Sequence, residues 1–332
     1  MTIDSFKALR VHFSKDSYEA RIENLTQDDL NEGDTLIEVH YSSINYKDAL
    51  AVTGKGKILK NSPLTPGIDS AGVVVESKNP SIKIGEHVAI TGCNQGEVYN
   101  GGFSQYTRFD SKHIIPLEKS LSLKEAMIFG TAGFTAALCI DRMEDNGQTP
   151  EMGPIVVTGA TGGVGSFAVS MLAGLGYEVI AVSGKKDKVD YLKELGASKV
   201  SSLEELSLDS GPLCKARFGG GIDNIGGDAL ASLMAHTNLW GNIACVGLAA
   251  SHKLDATVMP MILRGVSLLG ISSNNTPDQR RRKIWHRLAT DLKPKNLDLI
   301  HSHTISLEEV KEYSEKVLNR QTSGRILVDL ES

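Results

Sequence analysis

Residues 155–165 read IVVTGATGGVG, and 166–176 continue as SFAVSMLAGLG. A short, fully apolar, β-branched run stops in a glycine-rich turn, and the residues after it carry helical spacing. This is the pattern of a buried parallel strand entering a helix through a tight corner. The turn aligns as Ala160-x-Gly162-x-x-Gly165, with Gly159 just before it. A glycine at 162 lets the backbone come close to a pyrophosphate, and a glycine at 165 lets the helix lie tightly on the strand. The helix N-terminus then offers free N–H groups and a partial positive charge. A dinucleotide site is expected here, the alternative being a simple tight turn.

The next strand bears on which dinucleotide. A site for NAD normally carries Asp or Glu at the tip of the second strand, bonded to the ribose 2′-hydroxyl. Here YEVIAVSGKKDK ends its apolar run at Ser183, followed by Lys185 and Lys186. Asp187 comes later and belongs to the next helix. A hydroxyl and two ammonium groups suit a 2′-phosphate, which a carboxylate would repel. NADPH is therefore the expected cofactor. The competing reading leaves both lysines solvated at a helix start.

Working outward, PIVVTG, EVIAVSG, GIDNIG, GNIACVG and SLLGISS read as strands, with helical patterns between most of them. That alternation predicts an α/β domain with a doubly wound parallel sheet covered on both faces. Upstream, MTIDSFKALRVHF, TLIEVHYSS, AGVVVES, EHVAITG and FSQYTRF read as strands separated by Gly, Pro, Asn and Asp. SLKEAMIFGTAGFTAALCIDRM is helical in spacing, with Ser122 and Glu125 placed as a capping box. The terminal helix and strand, SLEEVKEYSEKVLNRQTSGRILVDL, would close the sheet of the first domain and make it discontinuous. The expected division is 1–124 with 302–332 for a β-rich domain, and 125–301 for the nucleotide domain.

A chain of 332 residues accommodates about two domains. The net charge of -5 gives no electrostatic reason to expect nucleic acid or an anionic membrane as partner. No long unbroken apolar run suggests a membrane span, and MTIDSFKALRVHF lacks the profile of a signal peptide. The 4 cysteines, Cys93, Cys139, Cys214 and Cys245, form no C-x-x-C pair, so neither a disulfide framework nor a four-thiolate zinc site is expected. A reducing cytoplasm is the expected location.

Two ways of stabilising charge on a substrate oxygen can be checked against the residues. A Tyr-x-x-x-Lys pair is absent, and the glycine turn lies too far along the chain for the short-chain reductases that use one. Zinc polarisation requires Cys and His ligands. TPGIDSAGVV has Ile68 and Asp69 where Gly-His-Glu would be expected, and SSINYKDAL has Asn and Tyr where a ligand cysteine would sit. His40, His87 and His113 are scattered. A metal-free mechanism is expected, with a zinc-type alcohol dehydrogenase as the rival reading.

SSINYKDALAVTGKGKI, PLTPGIDSAG, IFGTAGFTAALCI, VVTGATGGVGS, AVSGK and VMPMILRGVSLLG together resemble the zinc-free medium-chain dehydrogenases/reductases, in the YhdH/YhfP-type quinone oxidoreductase branch that includes acrylyl-CoA reductases. The resemblance runs nearly end to end, and NYKDALAVTGKGKI is its most specific part. It implies a GroES-like catalytic domain, a Rossmann domain, NADPH and a homodimer. It places Tyr46 beside the nicotinamide, Thr161, Gly162, Gly163 and Val164 on the pyrophosphate, and Ser183, Gly184 and Lys185 on the 2′-phosphate. The family more often has arginine at the place of Lys185. Lys199 would be a further phosphate-side contact, and Leu248, Ile262, Ser273 and Asn319 would line the cofactor.

The implied chemistry reduces an α,β-unsaturated carbonyl, a quinone or a short enoyl-CoA by hydride transfer. Tyr46 would act as hydrogen-bond donor or proton relay, with Asn45 and Asp48 orienting it. Each has a plainer alternative: Tyr46 shaping the nicotinamide slot, Asn45 and Asp48 capping a helix. QRRRKIW at 279–285 reads as a solvated helix face, or as a contact for coenzyme A phosphates. Met259 and Met261 read as core or pocket wall, and Cys245 as buried. A non-catalytic NADPH-binding sensor or crystallin-like protein is the alternative of another class.

Overall fold

The computed structural model describes residues 3–209 and 211–331. The chain forms two compact units, one of residues 1–131, 273–289 and 300–332, the other of 132–272 and 290–299. The elements in order are β1 (Phe6–Phe13), β2 (Tyr18–Leu25), β3 (Thr35–Ser43), α1 (Tyr46–Thr53), β4 (Asp69–Ser77), β5 (His87–Thr91), β6 (Tyr106–Phe109), β7 (Ile115–Pro116) and α2 (Leu123–Asp145). There follow β8 (Ile155–Thr158), α3 (Gly163–Gly174), β9 (Val179–Val182), α4 (Val189–Glu194), β10 (Lys199–Ser201), α5 (Leu203–Leu206), β11 (Phe218–Asp223), α6 (Gly227–Ala235) and β12 (Thr237–Cys245). The last are α7 (Met259–Arg264), β13 (Ser267–Gly270), α8 (Asp278–Ala289), α9 (Leu297–Ile300), β14 (His301–Ile305), α10 (Val310–Leu318) and β15 (Arg325–Asp329).

The first unit is built on a 7-stranded sheet ordered β14-β15-β3-β4-β5-β7, with β6 also paired to β3 and a separate β1-β2 hairpin. The alternation of TLIEVHYSS puts Ile37 and Val39 into a core with Val74, Val88, Ile90, Phe103 and Val328. Burial of each such side chain stabilises by roughly 1.5–3 kcal/mol. The late strand β15 enters beside β3, Leu327 to Asp329 pairing antiparallel with Tyr41 to Ser43. The C-terminal segment therefore completes the N-terminal sheet.

The second unit carries a 6-stranded parallel sheet ordered β10-β9-β8-β11-β12-β13. Counted from β8, this is the 3-2-1-4-5-6 order of a Rossmann fold, whose strand order reverses between β8 and β11. All residues of β8 and β9 are buried, as expected where both faces of a parallel sheet are covered. The units differ from the sequence division: 125–131, 273–289 and 300–301 belong to the first. The physical reason for 273–289 is α8, which buries Ile284, Trp285 and Leu288 and sends Arg281 to the Thr91 carbonyl.

The long helix also departs from its reading. Ser122 and Glu125 form the expected capping box, with Glu125 N–H donating to Ser122 Oγ at 3.1 Å and Ser122 N–H to Glu125 Oε2 at 2.9 Å. The helix then breaks at Gly130, where φ is 48° and ψ -154°. Apolar spacing continues across the break, which is why the sequence conceals it. By length and composition α2 could cross a membrane, but 83% of its apolar window is buried in the protein. A Cβ at Gly130 would lie 2.5 Å from Asp69 Oδ2 and 2.7 Å from Arg325 Nη2. A Cβ at Gly174, the last residue of α3, would meet nothing within 4 Å. Gly130→Ala should therefore cost about 2 kcal/mol or more in urea-unfolding stability, whereas Gly174→Ala should be neutral or stabilising by up to ~1 kcal/mol.

Candidate active site

Asn45 is the N-cap of α1 and Tyr46 its first residue. Asn45 donates twice to Asp48 Oδ2, from its backbone N–H at 2.9 Å and from Nδ2 at 3.0 Å. The Asn45 amide also donates to Asp69 Oδ2 at 2.7 Å. Asp69 is wholly buried and accepts from Ser43 Oγ at 2.8 Å, Thr131 N–H at 2.9 Å and Thr131 Oγ1 at 2.6 Å. Arg325, 2% exposed, faces it, with Nη2 3.6 Å from Asp69 Oδ2 and donating to Ser43 Oγ at 2.6 Å. Its Nε donates to Ile128 O at 3.0 Å, and its Nη1 to Ile44 O at 3.2 Å and Asn45 Oδ1 at 3.0 Å. The break at Gly130 frees backbone groups that a continuous helix would use internally. Asp69 takes the Thr131 N–H and Arg325 takes the Ile128 carbonyl.

Tyr46 is 52% exposed. Asp48, two residues further along α1, is buried and also accepts from Ile68 N–H at 2.8 Å. Burial pushes the Asp48 carboxyl up from the ordinary 3.8 to about 7; nearby Asp69 pushes the same way, against the hydrogen bonds from Asn45 and Ile68. Burial pulls the Arg325 guanidinium down, opposed by Asp69 and then Asp48. Next to Tyr46, Lys47 pairs with Glu97 at 2.7 Å and ties α1 to the segment after β5.

In the second unit, Gly162 is the N-cap of α3. A Cβ there would meet only Gly159 O, at 3.4 Å, so the space above it is open. A Cβ at Gly165 would sit 2.3 Å from the same oxygen, so only glycine permits this approach of helix to turn. Thr161 is buried, Gly163 and Val164 half-buried, and the first N–H groups of α3 have no partner within the helix. Ser183, at the tip of β9, lies 3.4 Å from Thr161 Oγ1 through its hydroxyl, which accepts from Lys185 N–H at 3.1 Å. Burial lowers the Lys185 ammonium from its ordinary value. Gly184 is exposed with open space above it. Thr161 to Val164 and Ser183 to Lys185 thus share the carboxyl ends of β8 and β9. These groups suit a nucleotide carrying a 2′-phosphate: donors, one cation and no carboxylate at the strand tip.

The other predicted site residues fall on both units. Lys199 opens β10 in register with Ile180, while Ser201 is the residue whose carbonyl accepts from Ser183 N–H at 3.0 Å. Leu248 and Ile262 are exposed in the second unit, at 65% and 74%. Ser273 and Asn319 belong to the first unit, Asn319 exposed as the C-cap of α10. Met259 is exposed, Met261 packs against the core, and Cys245 is half-buried. The basic run is not uniformly solvated: Arg281 is buried and donates to Thr91 O at 2.6 Å, Ser273 O at 2.9 Å and Asn274 O at 3.1 Å.

Sequence reading misses Ser43, Asp69, Thr131 and Arg325 as site residues, although Asp69 lies in the stretch where the zinc enzymes carry Gly-His-Glu. It also misses Asp223 at the switch point. Asp223 accepts from Thr158 Oγ1 at 2.7 Å and Gly226 N–H at 2.7 Å, and burial pushes its carboxyl up. Among the described residues, no three His, Cys, Asp or Glu side chains gather into a metal-holding group.

Residues 31–119 match the alcohol dehydrogenase GroES-like domain, and residues 163–290 match the zinc-binding dehydrogenase family. The chain is 46% identical to a probable acrylyl-CoA reductase AcuI of Escherichia coli, over 93% of this chain and 95% of that one. It is 44% identical to a putative quinone oxidoreductase YhfP of Bacillus subtilis, over 98% and 99% of the two chains. The yhdH oxidoreductase from Salmonella enterica in complex with NADP superposes with a TM-score of 0.94 at 43% identity, covering 97% of this chain and 99% of that one. Bacillus subtilis yhfP with NAD bound gives 0.95 at 43%, covering 99% and 100%.

Asp48 generates a pH prediction. The folded protein holds its proton from the ordinary 3.8 up to about 7, where the unfolded chain has already released it. This group therefore favours the fold at low pH, and the contribution is lost as pH rises through that window. Asp48→Asn should flatten the corresponding decline in unfolding free energy between about pH 4 and pH 7. An unchanged slope would remove the assignment.

Proposed function

This chain belongs to the medium-chain dehydrogenase/reductase family, in the branch of YhdH/YhfP quinone oxidoreductases and acrylyl-CoA reductases, and from that membership we propose that it is an NADPH-dependent reductase of α,β-unsaturated carbonyls or quinones. A short enoyl thioester of the acrylyl-CoA kind is the substrate class we favour. The observation that carries the reading is an exposed tyrosine at the start of a helix whose backbone is fixed by a buried ionic network.

NADPH, when bound, supplies the hydride. The residues that would hold it are Thr161, Gly162, Gly163 and Val164 at the pyrophosphate and Ser183, Gly184 and Lys185 at the 2′-phosphate. Lys199, Leu248, Ile262, Ser273 and Asn319 are proposed as further contacts. As the β-carbon of the acceptor is reduced, negative charge develops on its carbonyl oxygen. Tyr46 Oη donates a hydrogen bond to that oxygen, an interaction of about 3 kcal/mol when made chiefly in the transition state. Asn45 and Asp48 hold the helix start that carries the phenol.

We further propose a homodimer in the cytoplasm. Trp240, 72% exposed, has its ring over Gly265 at the end of α7, and Leu263 of that helix is exposed too. An apolar group of this kind marks a surface that a second copy covers. Light scattering should give about twice the 35.7 kDa chain mass, and a monomer at micromolar concentration would exclude the dimer.

Lys185→Ala should weaken NADPH binding roughly tenfold or more, by removing a charge-assisted contact, and leave NADH nearly untouched; equal losses would take the lysine away from the 2′-phosphate. Tyr46→Phe should lower kcat roughly 100-fold with acrylyl-CoA, crotonyl-CoA or a simple quinone. NADPH binding without oxidation by any of these acceptors would favour a sensor, and stoichiometric zinc in active enzyme would favour an alcohol dehydrogenase mechanism.

A further inference from the structure

We propose that Asp69 and Arg325 are positioning residues for the reduction, acting through Tyr46. The inference rests on the reading of Tyr46 as the donor to the substrate oxygen. Among the described residues the Tyr46 hydroxyl has no hydrogen-bond partner and its side chain is half exposed, so its placement falls to the backbone at 44–46. That backbone is held from one side by the late strand β15. Ile44 N–H donates to Ile326 O at 3.0 Å, and Arg325 Nη1 donates to Ile44 O at 3.2 Å. The Asn45 side chain is a fully engaged joint: its oxygen accepts from Arg325 at 3.0 Å, and its nitrogen donates to Asp69 at 2.7 Å and Asp48 at 3.0 Å. A side-chain amide engaged on both atoms has one orientation.

Asp69 and Arg325 in turn hold the two sides of the helix break, through Thr131 N–H at 2.9 Å and Ile128 O at 3.0 Å. The ion pair thereby couples the start of α1, the interruption of α2 and the start of β15. Neither member hydrogen-bonds Tyr46 itself, so their effect on rate passes through the Ile44–Asn45 backbone they fix. Arginine is required by geometry as much as by charge. All three of its side-chain nitrogens are engaged, and lysine offers a single ammonium.

The test compares Asp69→Asn, Arg325→Lys and the charge-free double variant Asp69→Leu with Arg325→Met, each with native Tyr46 and combined with Tyr46→Phe. The double variant is included because removing one partner of a buried pair can prevent folding, whereas apolar replacement of both usually does not. NADPH dissociation constants are read by fluorescence titration, and kcat and KM with acrylyl-CoA. In variants that fold, kcat should fall at least tenfold with the NADPH dissociation constant within twofold of the parent. On the Tyr46→Phe background the same substitutions should cause little further loss. Unchanged kcat in a folded variant, an equal loss on both backgrounds, or a loss confined to NADPH affinity would each overturn the proposal. A silent Tyr46→Phe overturns the role of Tyr46 and this inference together; an impaired Tyr46→Phe beside unimpaired pair variants overturns this inference alone.

Discussion

The buried pair of Asp69 and Arg325 is the constraint around which the first unit is arranged. A guanidinium and a carboxylate without solvent are costly unless every lone pair and proton is engaged. Here they are engaged by groups that themselves need partners. The helix break at Gly130 leaves an N–H and a carbonyl unsatisfied, and the cap of α1 supplies an amide with both atoms available. Each defect is the complement of another. Gly130 is the piece that admits the rest, because a side chain there would occupy the volume held by Asp69 and Arg325.

The second unit solves a similar problem with fewer charges. Where its strand order reverses, Thr158 at the end of β8 and Asp223 at the end of β11 share a hydrogen bond, and Asn224 donates to the Thr158 carbonyl at 2.7 Å. These contacts fix the floor of the crevice beside the glycine turn. The turn is left with one task, to present backbone N–H groups over Gly162 while Gly165 keeps the helix close.

Much of this was legible in the amino-acid order because it is local. IVVTGATGGVG carries strand, turn and helix start within eleven residues, and the tip of β9 declares its charge in SGKK. The capping box of Ser122 and Glu125 is likewise a short-range pattern. Asp69, Thr131 and Arg325 were illegible as a group because only the folded sheet brings them together, and none sits in a run that looks unusual. Arg281 was misleading for the opposite reason: it stands in a strongly basic run, yet three carbonyls from other segments draw it inside. Charge density along the chain measures composition, whereas burial depends on what lies opposite. The break at Gly130 was hidden because apolar periodicity does not record backbone dihedrals.

The place of β15 in the first sheet has a consequence for biosynthesis. On the edge of β3 where β6 covers residues 35–38, residues 41–43 acquire their partner, and Asp69 its cation, only after residue 325 has left the ribosome. Most of the second unit, by contrast, is a continuous segment available earlier. Nascent chains must therefore carry an unfinished sheet and an Asp69 without its arginine until β15 arrives, and a chain stopped before residue 325 would leave Ile44 and Asn45 without the partners that strand supplies.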